Sequence, residues 1–189
     1  ARTINQLSII LEQRMLSSTS GATSKISFSK VLKAYQAPPV QNIDGFELRD
    51  GELCVQNPEV FDEDPERLIR LFRHSQRLGA KLSPNLRSMV RNRLSLIDST
   101  LINSSSANVT FRSIMQEIGN VSSTLCEMHE LGVLGRFVPE FGRLTCKVQH
   151  DLYHRFTADI HVLHCITVLD EIFQGKNESA PHYLEALRK

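Results

Sequence analysis

Two short stretches of the 189-residue sequence gather side chains that could do chemistry. The first is Asp62-Glu63-Asp64, an Asp-x-Asp pair of the kind that holds two metal ions for nucleotidyl transfer. No Gly-Ser or Gly-Gly phosphate loop precedes it. Asp64 stands immediately before Pro65, so a helix cap is the better reading. The second stretch is denser, with His150, Asp151, His154, His161 and His164 falling between positions 150 and 164. Imidazoles and carboxylates are ligands for divalent metals, and on a helix His150 and His154 would share one face at i and i+4. From spacing alone these are either metal ligands or packing residues grouped with Tyr153 and Phe156. No nucleophile with an adjacent base can be assembled, and G-x-S-x-G, P-loop and Rossmann signatures are all missing. Taken alone, the sequence contains no complete active site.

The elements that must position these residues are mostly helices. Thr157 to Phe173 reads as a long helix ended by Gly175, with His161, Cys165, Val168 and Ile172 on one stripe. Val162, Ile166, Leu169 and Phe173 run beside it. So wide an apolar surface is expected of a central helix, with His161 turned inward and His164 toward the surface. Upstream, Ile4, Leu7, Leu11 and Met15 have helical spacing, Ser17 to Ser24 reads as a loop, and Pro38-Pro39 excludes helix. Gly45 to Val55 alternates apolar and polar residues around Asp50-Gly51, which predicts a β-hairpin with a type I′ turn. Asp64-Pro65-Glu66 opens a helix that carries Leu68, Ile69, Leu71, Phe72 and Leu78 and stops at Gly79. Ser83-Pro84 opens another, Ser104 to Ala107 reads as a polar break, and helices follow over 109–118 and 121–131, the last stopped by Gly132. Lys176 to Pro181 reads as a loop, and no internal repeat is present. The expected fold is mainly α, an irregular helical bundle with one short β-hairpin near 45–56.

Composition narrows the function classes. A net charge of +1, with basic residues spread along the chain, gives no footprint for nucleic acid or an acidic membrane. The longest apolar run near the start is Ile9-Ile10-Leu11, too short for a signal peptide or a membrane span. Cys54, Cys126, Cys146 and Cys165 are far apart and form no C-x-x-C pair, as expected of reduced thiols in a cytoplasmic protein. A start at Ala1 is expected of a segment excised from a longer chain.

One stretch is more specific than any short motif. Residues 131–143 read Leu-Gly-Val-Leu-Gly-Arg-Phe-Val-Pro-Glu-Phe-Gly-Arg, and residues 148–157 read Val-Gln-His-Asp-Leu-Tyr-His-Arg-Phe-Thr. They closely resemble the GVLGRxxPEFGR and QxDLYHxYTVDEHT segments of bacterial PII uridylyltransferase/uridylyl-removing enzymes. The resemblance is strong over 129–164, collinear but weaker over 40–128, and includes Phe61, Asp64-Pro65, Leu71-Phe72 and the hairpin.

That resemblance implies a central segment of a multidomain nitrogen sensor. One domain transfers UMP from UTP to a tyrosine of the PII signalling protein, an HD-type phosphohydrolase domain removes it, and further domains sense glutamine. Residues 1–148 would be the helical region after the transferase domain, and 149–189 the incomplete start of the HD domain. His161 would be the first HD metal ligand, for magnesium or manganese in the intact parent. His150-Asp151 is not the HD doublet, which would lie further along the parent, and His154 receives no role. The family usually has Glu and Thr beside the ligand histidine, where this chain has Ile160 and Val162. The segment is expected to be inactive alone, to bind no metal tightly, and to contact neither nucleic acid nor membrane. The alternative expectation is a non-catalytic helical module that docks a signalling partner.

Overall fold

The computed structural model describes residues 41–145 and 157–176. The helix expected over Ile4 to Met15, the 148/149 domain boundary, and both His150 and His154 lie outside the described residues. What is described is mainly α, as expected, with a small four-stranded sheet.

The sheet forms because two Asp-Gly pairs supply consecutive positive φ values. Asp44 and Gly45 (φ 54° and 86°) join strand β1 (Gln41–Ile43) to β2 (Phe46–Arg49). Asp50 and Gly51 (φ 50° and 79°) join β2 to β3 (Glu52–Cys54). The second turn is the expected hairpin. The first extends it, and a two-residue strand β4 (Lys81–Leu82) pairs parallel to β3, so the hairpin is the middle of a four-stranded sheet. Phe46 and Leu53 point from this sheet into the core and are fully buried. The Phe46 and Phe61 rings meet at 5.9 Å, so the sheet is held by its contact with the helices that follow.

Helices α1 (Val60–Glu63) and α2 (Arg67–Leu78) come next. Asp64 is not the N-cap expected of it: Glu66 takes that position without a side-chain cap bond, and Asp64 Oδ1 instead accepts the Glu66 N–H at 3.0 Å in the turn that precedes the helix. Pro65 and Glu66 form a tight turn before regular helix begins at Arg67. Leu68, Ile69, Leu71 and Phe72 on α2 are fully buried, which makes α2 the centre of the unit. Gly79 ends it in the left-handed conformation, as expected. Helix α3 (Pro84–Asn92) starts where Ser83 Oγ accepts the Leu86 N–H, and a 3-10 turn (Leu94–Leu96) and α4 (Ser99–Ile102) follow.

The expected break at Ser104 to Ala107 is instead a helix start. Ser104 Oγ accepts the Ala107 N–H at 3.3 Å and caps α5 (Ser105–Met115). The same hydroxyl donates to Glu66 Oε1, and Ser106 donates to the other oxygen, which ties the start of α5 to the start of α2. Serine serves breaks and caps alike, because its side chain competes for nearby backbone groups in either setting. Helix α5 packs along α2. Buried Gln76 joins them, its Nε2 donating to the carbonyls of Ile114 (3.2 Å) and Asn120 (2.7 Å), so its own amide is satisfied inside the fold.

Helix α6 (Ser122–Glu130) ends at Gly132, whose φ is 81°. Two short helices, α7 (Val133–Phe137) and α8 (Pro139–Gly142), then fold against each other. Their contact runs through glycine: a Cβ placed on Gly142 would stand 2.3 Å from the Gly135 carbonyl oxygen. The last described helix is α9 (Ala158–Phe173). No helix among the described residues is long and apolar enough to cross a membrane.

Candidate functional site

Helix α9 carries His161, and its rotation differs from the one its apolar stripe predicts. Asp159, Leu163, Asp170 and Ile172 are its buried residues, whereas His161, Cys165 and, as expected, His164 are exposed. Ile160, Val162, Leu169 and Phe173 also lie on open surface, at 37–48% exposure. Two acids account for the turn. Asp170 Oδ2 accepts the Val121 N–H at 2.8 Å and the Ser122 N–H at 2.6 Å, supplying the cap that α6 lacks from its own Val121. Three turns away, Asp159 Oδ2 lies 3.4 Å from His129 Nε2 at the other end of α6. A helix that is apolar nearly all round has no strong preference of its own, so these polar partners decide which side faces in.

Burial pushes the Asp159 carboxyl up. Hydrogen bonds from the Thr157 side chain and the Ile160 N–H, together with the His129 imidazole, outweigh this and hold it below its ordinary value. The His129 ring also meets Phe141 edge-on at 5.6 Å, which brings α6, α8 and α9 to one point.

Around His161 the metal-binding potential is small. Its Nε2 has Cys165 Sγ at 3.9 Å, one helical turn on. Among the described residues no group of three or more His, Cys, Asp or Glu side chains is placed to hold a metal ion. A divalent ion needs about four or more ligands, so the described residues do not fit one by themselves. The Asp-x-Asp pair is not open to metal either. Asp62 receives Arg93 Nε on both oxygens (3.0 and 2.8 Å), and Asp64 receives Arg70 Nη2 at 2.6 Å.

A second cluster, missed in the sequence, centres on Asp44 in the first turn of the sheet. Arg70 approaches it with two donors, Nε at 2.7 Å from Oδ2 and Nη2 at 3.1 Å from Oδ1. Arg67 Nε (3.3 Å) and His74 Nε2 (3.4 Å) complete the ring. The signal was the spacing of Arg67, Arg70 and His74 along one side of α2, with an acid in a turn to receive them. Partial burial raises the Asp44 carboxyl, but the Arg70 hydrogen bond and charge, and the bonds from Arg67 and His74, hold it below the ordinary range. With Asp44 engaged by all three side chains, the cluster clamps the first turn of the sheet to α2.

Residues 46–137 match the family described as the uridylyltransferase GlnD third domain. Over 150 residues, 79% of the chain, the sequence is 35% identical to a bifunctional uridylyltransferase/uridylyl-removing enzyme of Rhodopseudomonas palustris. The chain belongs to the GlnD uridylyltransferase family. It spans only 16% of the length of that relative.

Within a GlnD third domain the geometry takes on a clear division. The matched region runs from β2 to the end of α7 and contains the satisfied core, with no unpaired buried side-chain donor or acceptor among the described residues. Helix α9 lies outside the match but is fastened to it at both ends of α6. The side of α9 that carries His161 and Cys165 is left open.

Proposed function

We propose that this chain is the helical segment linking two catalytic domains of a cytoplasmic PII uridylyltransferase/uridylyl-removing enzyme, and that it is not catalytic by itself. The intact enzyme would take UTP and the PII protein as substrates and respond to glutamine. The single observation that supports this most is the third-domain match over residues 46–137, a region in which the Asp-x-Asp carboxylates of Asp62 and Asp64 are paired with Arg93 and Arg70. His161 would be the first metal ligand of the UMP-removing domain, for magnesium or manganese, with the remaining ligands supplied by other parts of the enzyme. An exposed histidine with one sulfur neighbour agrees with a ligand that waits for partners.

Calorimetric titration of the purified chain with manganese tests the assignment. The expected result is no stoichiometric binding, with His161→Ala indistinguishable from the wild type. Tight one-to-one binding that His161→Ala abolishes would show a complete site in the chain and sink the proposal.

A further inference from the structure

We infer that Asp170 is a positioning residue for the uridylyl-removing reaction, acting through helix α9. The inference rests on the chain being part of that enzyme, and its own basis is geometric. The N-cap position before helix α6 is Val121, which has no side-chain acceptor, and the missing cap comes from a carboxylate 49 residues later. Asp170 is only 6% exposed, and one of its oxygens takes both backbone donors. Next to it Gln174 donates to the Gly119 carbonyl, in the turn just before α6. With Asp159 against His129 at the far end, α9 is held antiparallel to α6 at two points three turns apart. Such a helix can neither roll nor slide freely. Its rotation sets the direction of its open side, where His161 and Cys165 stand, and Asp170, with two backbone donors at 2.8 and 2.6 Å against the 3.4 Å contact of Asp159 with His129, is the tighter of the two fixings. Apolar contact alone would not choose this rotation, because Ile160, Val162, Leu169 and Phe173 are left outside.

The bonds need an acceptor oxygen and no charge, so Asp170→Asn should keep them and Asp170→Ala should lose them. The test uses the full-length enzyme with both variants, reading amide hydrogen exchange together with the two activities. Asp170→Ala is expected to speed exchange at Val121, Ser122 and across Ala158 to Ile166 at least tenfold. It should lower the rate of UMP removal from PII at least tenfold while UMP transfer stays within twofold. Asp170→Asn should restore both exchange and removal to within threefold of wild type. Unchanged exchange in Asp170→Ala, or faster exchange with undiminished removal, would overturn the inference. If Asp170→Ala does not fold, Gln174→Ala decides: faster exchange over the last two turns of α9 supports the clamp, and no change refutes it. A wild-type enzyme that removes no UMP would instead refute the parent assignment, and the exchange measurements would still decide whether Asp170 holds the helix.

Discussion

Gly142→Ala is expected to destabilise the chain by about 3 kcal/mol, at the upper end of the cost of forcing extra volume into a packed site. For a unit of this size that is a fall in Tm of roughly 10 °C. Two effects compete. Alanine favours helix over glycine by about 1 kcal/mol, which would stabilise α8. The new Cβ, however, would stand 2.3 Å from the Gly135 oxygen and 3.1 Å from its carbonyl carbon, and both atoms are backbone. No rotamer change relieves a backbone clash, so α7 and α8 must part, and the clash outweighs the propensity gain. Parting them also disturbs Phe141, which packs edge-on against the His129 ring beside Asp159. Gly135→Ala is the internal comparison: its Cβ would lie 3.2 Å from the Gly142 Cα and should cost distinctly less. Thermal unfolding followed by circular dichroism separates the two. Gly135 and Gly142 of the resembling motif are thus explained by close approach of two short helices, and Gly132 by its positive φ.

Arg70→Met should cost about 3 kcal/mol, the lower end for breaking a buried ion pair, because the cluster is partly open to water. The arginine is bound by Asp44 on two atoms and by Asp64 and Glu66 besides, at 26% exposure. Removing it leaves three carboxylates facing one another with Arg67 and His74 as the remaining partners of Asp44. The acid dependence carries a definite sign. Asp44 has a lowered folded pKa, so its contribution is fully present above its unfolded value of about 3.9 and is lost as pH falls through the folded value. Urea unfolding between pH 6 and pH 3 should therefore show the gap between wild type and Arg70→Met narrowing as the pH drops below about 4. A gap that stays constant or widens would mean that Asp44 does not depend on Arg70.

Much of the helical framework was legible because its punctuation is chemical and local. Gly79 and Gly132 stop helices by adopting positive φ, and Ser83 before Pro84 starts one. Asp50-Gly51 was equally plain. Asp44-Gly45 offers the same turn chemistry, but the strand before it is three residues long and shows little alternation. Strand β4 has two residues and exists only through pairing with β3, a non-local fact that no local pattern encodes. The rotation of α9 was misjudged for a related reason. Its side chains are apolar on most sides, so burial of Asp159 and Asp170, two residues that pattern reading sends to the surface, set the outcome. Both acids go inward because donors await them on α6, and those donors were visible only in three dimensions. The resemblance picked out His161 as a residue, while its exposure had to come from the fold.

The central claim is that this chain connects catalytic parts without being one, and an assay of UMP exchange tests it most directly. Labelled UTP and PII protein would be incubated with the full-length enzyme and, separately, with the 189-residue chain, followed by measurement of label gained by PII and then released. The expected result is transfer and removal by the full-length enzyme and neither by the chain. Transfer or removal by the chain alone, or a full-length enzyme that leaves PII unmodified, would contradict it.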